Sequence, residues 1–301
     1  MQFNLVIKSH VNFLCKNKFY PVIVRRLLFK FVITMFNIPN LFTASNLLCG
    51  IIAIISLLSG RWDWACYLIY IAAILDFLDG FIARKLNQMS ELGKQLDSLA
   101  DMVTFGVAPG ILVFALLVVQ TGPAIELNSL VTFHEKVGDS MSTYLSAFAD
   151  GSWAEISLLP FVALIIPFFS LFRLAKFNID TRQSTSFIGV PTPANTIFFT
   201  AFPLVWMNAY ANDNLDNALL QFMINPITLV VLAVVMGYML VAELPLFALK
   251  FRHFKWKGNE IRFLFLIGCL LLLGLFHFWG IAFIILLYIV LSIIDNQISA
   301  K

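Results

Sequence analysis

The sequence predicts an all-α, polytopic membrane helix bundle, and three observations predict it. Hydrophobic residues make up 60% of the 301-residue chain, charged residues only 12%, and the mean hydropathy is +0.88, whereas an average soluble domain carries about a quarter charged residues. Apolar stretches at 41–60, 62–84, 95–120, 157–178, 193–212, 225–248, 261–275 and 277–295 approach the roughly 20 residues needed to cross a bilayer core, which makes about eight transmembrane helices. Basic residues follow the same alternation. With residues 1–40 placed in the cytoplasm, all 20 Lys and Arg residues except Arg61 and Lys136 fall on the cytoplasmic side, as the positive-inside rule requires. Both termini are then cytoplasmic, and the expected location is the cytoplasmic (plasma) membrane.

The net charge of +3 does not indicate a nucleic-acid partner, because the basic residues cluster at span ends, where anionic lipid headgroups lie. Cys15, Cys49, Cys66 and Cys269 are isolated, without the paired spacing of a zinc site or a disulfide framework. No cleavable signal peptide is evident, since the first twenty residues lack an uninterrupted apolar core.

Taken in order, residues 1–36 mix basic and apolar residues around Pro21 and read as a membrane-surface segment. A span there would carry Arg25, Arg26 and Lys30 at about 3 kcal/mol each near its centre. Pro39 suits the start of the first span, where Asn40, Thr43 and Asn46 recur at i, i+3 and i+6 on roughly one face. Alone these are capping and interhelical hydrogen bonds; beside the aspartates described next they become a candidate ligand wall. In the third span, Gly106, Pro109 and Gly110 predict a kinked or thinned helix. The loop 121–156 is polar, net acidic and assigned to the outside. Arg173, Lys176 and Asn178 stand at the inner end of the fourth span, and prolines 191 and 193 bracket Thr192 in a rigid approach to the fifth. The run 250–257 is basic, and the last two spans form a hairpin with no polar constellation.

Asp76 and Asp79 end the second span, and Asp97 and Asp101 open the third. Spacings of i, i+3 and i, i+4 project each pair from one helix face. Asp76 lies about 12 Å before Arg84 along the helix, near the cytoplasmic boundary and within reach of soluble substrates. Intramembrane carboxylates are costly and usually functional. Four in one place repel unless protonated or holding cations, and two divalent ions would neutralise them. All-oxygen ligation selects Mg²⁺ or Mn²⁺, and Arg84 is placed for a phosphate. The chemistry indicated is metal-assisted phosphoryl transfer at the membrane surface. A proton or cation transporter is the rival, but its acids would lie at the midplane of a repeated fold.

The run D-x2-D-G-x2-A-R-x8-G-x3-D-x3-D, met at Asp76, Asp79, Gly80, Ala83, Arg84, Gly93, Asp97 and Asp101, resembles the signature of the CDP-alcohol phosphotransferase family. The resemblance implies a six-helix core, and with it three segments: a basic surface segment 1–36, a transmembrane core 37–248, and a basic loop with C-terminal hairpin 249–301. It implies that Asp76, Asp79 and Asp97 hold one metal ion, that Asp76, Asp97 and Asp101 hold a second, and that Asp101 is the base for the acceptor alcohol. It further implies that Asn40, Thr43, Gly80, Arg84, Ser90 and Gly93 contact the CDP-linked lipid, and that the protein is a homodimer. FRLAKFN at 172–178, FIGVPTPA at 187–194 and TFGVAPG at 104–110 are similar to segments of the serine-using branch. They imply CDP-diacylglycerol and L-serine as substrates, with Arg173, Lys176 and Asn178 near the acceptor or lipid phosphate. Glycerol 3-phosphate, inositol phosphate and choline remain alternative acceptors, since they share the aspartate motif.

Overall fold

The computed structural model describes residues 37–122, 130–180, 187–247, 256 and 259–299. The expected surface segment 1–36 and most of the basic run 250–257 lie outside the described residues. Each of the eight expected apolar stretches contains helix.

α1 (Ile38–Leu58) is capped by Asn37, whose side chain accepts from the Asn40 backbone N–H at 2.9 Å. The chain reverses through Gly60 at φ +76°, where an added Cβ would lie 2.4 Å from the His134 carbonyl, and α2 (Trp62–Lys85) returns along α1. A turn through Asn87 leads to α3 (Glu91–Asp101), which continues through a π-helical turn (Met102–Val107) into α4 (Ala108–Thr121). The break predicted around Gly106 and Pro109 is therefore a π-turn lying N-terminal to the proline. Pro109 has no N–H for the carbonyl four residues earlier, and that Phe105 carbonyl instead accepts the Thr196 hydroxyl at 3.0 Å.

α4 forms the centre of the bundle, with Leu112 to Val119 all buried. Helix α5 (Leu130–Ala149) occupies part of the region expected to be a loop. Its Phe133, Val137, Met141 and Tyr144 recur at helical spacing and are buried, so burial of one face overrides its polar composition. Phe133 packs with Trp62, Trp206 and Tyr210 at centroid distances of 5.7, 5.9 and 5.6 Å, joining α5 to the ends of α2 and α7.

A 3₁₀ turn (Leu159–Leu164) leads into α6 (Ile165–Ile179). The two-residue strands β1 (Phe187–Ile188) and β2 (Pro245–Leu246) pair antiparallel, with Phe187 opposite Leu246. Between β1 and β2 run α7 (Thr192–Ala211), α8 (Ala218–Ile224) and α9 (Pro226–Val241), the last two meeting at 62°. Finally α10 (Glu260–Phe276) and α11 (Phe278–Ser299) form the expected hairpin, with α11 packed along α7. Among the described residues, five helices are long and apolar enough to cross a membrane, or six if the bent α8–α9 pair is one span. α7 and α10 fall outside that count: α7 carries Thr192, Asn195, Thr196 and Thr200 within its apolar run, and α10 has only 17 residues.

Candidate active site

The polar face of α1 meets the acidic helices at three successive levels. Gly93, in the first turn of α3, has no side chain, and a Cβ there would lie 3.3 Å from Asn40 Oδ1 and 3.1 Å from Ser90 Oγ. Ser90 caps α3 by accepting from the Gly93 N–H at 3.0 Å. One level deeper, Thr43 donates its hydroxyl to Asp79 Oδ2 at 2.6 Å, the short distance typical of a bond to a carboxylate. Deeper again, Asn46 donates from Nδ2 to Asp101 Oδ1 at 3.2 Å, and its backbone carbonyl accepts Thr104 Oγ1 at 3.2 Å. The i, i+3, i+6 pattern on α1 is thus one side of a three-level contact with α2 and α3.

Asp76, Asp97 and Asp101 converge, each offering a carboxylate oxygen within 4.8 Å of the other two. Asp76 lies within hydrogen-bonding reach of both Asp97 and Asp101. Asp79 stands outside this tight group, buried against Thr43. Asp97 Oδ1 is buried with no hydrogen-bond partner, which for a carboxylate oxygen is expensive unless a cation or proton occupies the space beside it. Three acids at these separations, all oxygen donors, with one oxygen left bare, fit a divalent cation. Arg84 folds back along its helix, its guanidinium passing 3.5 Å from where a Cβ on Gly80 would stand.

The three candidate residues on α6 diverge. Arg173 is buried, donates from Nε to the Val190 carbonyl at 3.2 Å and lies over the Phe177 ring at 5.1 Å. Asp101 is close enough to interact electrostatically with it. Lys176 forms an ion pair with Glu243, which follows α9. Asn178 turns to α3, donating from Nδ2 to Ser98 Oγ at 2.8 Å, while its backbone carbonyl accepts Lys94 Nζ at 2.6 Å. Arg173 is the one of the three that the charge of Asp101 reaches, while the other two tie the end of α6 to neighbouring elements. The partners Glu243, Ser98 and Val190 were not foreseen, since nothing in the local sequence marks a contact so distant along the chain.

A bundle of membrane-crossing helices, with a cluster of carboxylates that could hold a metal ion where two of them meet, defines a class of intramembrane proteins with an acidic site. Within that class the chain belongs to the CDP-alcohol phosphatidyltransferase family, whose model matches residues 36–294. It is 33% identical over 223 residues to the CDP-diacylglycerol–serine O-phosphatidyltransferase of Bacillus subtilis, covering 74% of this chain and 94% of that protein. It is 34% identical over 165 residues to the enzyme of the same name from Helicobacter pylori, covering 54% of this chain and 55% of that one. Similarity to the CDP-diacylglycerol–glycerol-3-phosphate 3-phosphatidyltransferase of Aquifex aeolicus reaches 43% but spans only 67 residues, 22% of this chain and 38% of the relative.

Proposed function

We propose that the protein transfers the phosphatidyl group of CDP-diacylglycerol to the hydroxyl of L-serine, giving phosphatidylserine and CMP. The observation that carries the reading is the convergence of Asp76, Asp97 and Asp101 from two helices, with one buried oxygen unpartnered. Serine as acceptor is supported by the extent of similarity: it runs through nearly all of the Bacillus subtilis serine enzyme but only a short part of the glycerol-phosphate enzyme.

In this reading Asp101 accepts the proton of the serine hydroxyl as the serine oxygen bonds to the lipid-side phosphorus, and the bond from that phosphorus to the CMP oxygen breaks. Asn46 holds the Asp101 carboxylate in orientation through its Nδ2 donor. Arg84 faces the pyrophosphate, while Asn40, Thr43, Gly80, Ser90 and Gly93 border the CDP-linked lipid, the two glycines allowing close approach. Two divalent cations, Mg²⁺ or Mn²⁺, held by Asp76, Asp79 and Asp97 and by Asp76, Asp97 and Asp101, would supply charge neutralisation across the pyrophosphate.

The basic residues at span ends favour a cytoplasmic site and cytoplasmic termini in the cytoplasmic membrane. The segment division at 36 and 248 and a homodimeric assembly complete the proposal. Purified protein is to be incubated with CDP-diacylglycerol, Mg²⁺ or Mn²⁺ and single alcohols, and CMP release measured. Release with serine is expected. No metal-dependent release with any alcohol would remove the enzymatic reading, and release with glycerol 3-phosphate but not serine would replace the acceptor.

A further inference from the structure

Two fully buried asparagines flank the π-turn, and both have hydrogen-bonding capacity to spare. Asn46 uses Nδ2 on Asp101, but its Oδ1 has no partner; Asn195, in the first turn of α7, has neither Nδ2 nor Oδ1 partnered. Both side chains are wholly inaccessible. A buried amide with every polar atom bare is rare in a folded protein, because it forfeits its hydrogen bonds to water and gains none in return.

The contacts fix where Asn195 stands. α2 and α7 run antiparallel, since Trp62 packs on Trp206 while Tyr70 OH lies 2.8 Å from Thr200 Oγ1. From that level Asp76 is six residues along α2, about 9 Å, and Asn195 five residues along α7, about 7.5 Å. They therefore lie on the same side of that level, each toward the end of its helix that borders the acidic cluster. The neighbouring Thr196 is bonded to the Phe105 carbonyl, four residues beyond Asp101, and Thr104, the residue before Phe105, is bonded to Asn46. Asn46, through its backbone carbonyl, and Thr196, the neighbour of Asn195, thus hold consecutive residues of one π-turn, one turn beyond Asp101. π-turns recur at functional sites.

We infer that Asn46 and Asn195 form the floor of an acceptor pocket that takes a zwitterionic α-amino acid. The bare groups match that ligand. Two amide oxygens receive the α-ammonium, and Asn195 Nδ2 together with the outer edge of the Arg173 guanidinium, whose Nε is already held by Val190, receives the α-carboxylate. Amides suit the place for a physical reason: an aspartate there would bind ammonium too, but would also join the acidic cluster and compete for its cations. An acceptor without both charges leaves one of these buried groups unpaired, and such a loss is the strongest basis for rejecting a substrate.

The inference rests on the serine-transfer reading, and the experiment separates the two. With full-length protein, CMP release is followed against serine and against CDP-diacylglycerol for wild type, Asn195→Leu and Asn195→Ala. Both variants are expected to raise the KM for serine about ten-fold or more and to leave the KM for CDP-diacylglycerol within about two-fold. In wild type, O-methyl-L-serine, which keeps both charges but has no hydroxyl, is expected to compete with serine, whereas 3-hydroxypropionate and ethanolamine at equal concentration do not. This wild-type measurement stands even if both variants misfold. A serine KM unchanged in either active variant, parallel rises in both KM values, or equal competition by the single-charge analogues would overturn the pocket. Absence of serine-dependent turnover in wild type would overturn the acceptor assignment itself.

Discussion

Asp101 is bonded to Asn46 on one oxygen and packed against Asp76 and Asp97 on the other side. Asp101→Asn keeps the shape but removes the proton acceptor, so turnover is expected to fall at least about 10²–10⁴-fold while calorimetry still detects CMP binding. A wild-type rate in that variant would end its assignment as the base. Thr43 acts at one remove, through the 2.6 Å bond to Asp79. Thr43→Val is isosteric and leaves all four acids in place; the Mn²⁺ concentration giving half-maximal CMP release is expected to rise about 10–100-fold, and an unchanged value would mean Asp79 needs no support. At this scale the acids were legible in the sequence because charge inside an apolar segment is conspicuous. Asn195 was not, because a neutral amide in a helix start reads as a cap, and only its lack of partners in the folded chain separates it from one.

Individual helices depend on close approaches that composition does not reveal. α1 meets the π-turn at Gly50, where a Cβ would fall 2.3 Å from Thr104 Oγ1 and 2.9 Å from the Thr104 Cα. Backbone cannot swing aside as a side-chain tip can, so Gly50→Ala is expected to destabilise the protein by about 1–3 kcal/mol and to reduce CMP release by separating Asn46 from Asp101. Thermal unfolding in detergent measures the first effect. Gly274, with nothing within 4 Å of an added Cβ, provides the control: Gly274→Ala is expected to leave both unchanged or to stabilise slightly through helix propensity. The second and third spans were legible from hydropathy almost to their ends, whereas the π-turn was foreseen only as a disturbance. Gly106 and Pro109 announce that the helix is interrupted, but the form of the interruption depends on Thr196 supplying the hydrogen bond that Pro109 cannot.

For the molecule as a whole, metal removal is the decisive perturbation. Chelation is expected to abolish CMP release and to lower the unfolding temperature, with both restored by Mg²⁺ or Mn²⁺, because a ligand that binds only the folded state stabilises it by mass action. If chelation left the unfolding temperature unchanged, the three converging carboxylates would not be an occupied cation site. The bundle was legible at this scale because apolar length is a direct signal. α5 escaped notice because its polar residues dominate its average, although Phe133, Val137, Met141 and Tyr144 already stood at helical spacing. The pairing of β1 with β2 joins residues 187–188 to 245–246, and no local pattern in so short a strand signals a partner that far along the chain.

The π-turn has a consequence for how this chain tolerates change in length. It holds one residue more than an α-helix would use over the same rise, so deleting a single residue between Met102 and Val107 lets the segment become α-helical with α3 and α4 kept nearly in their present orientation, whereas the regular turns of α4 have no surplus residue, and a deletion there turns the two sides of the gap by about 100°. A deletion in α4 would thus carry Asp97 and Asp101 away from Asp76, although no residue of the site had been altered. Within the π-turn itself a gap of one costs something more local, the widened backbone turn that seats the bonds of Thr104 to Asn46 and of Phe105 to Thr196.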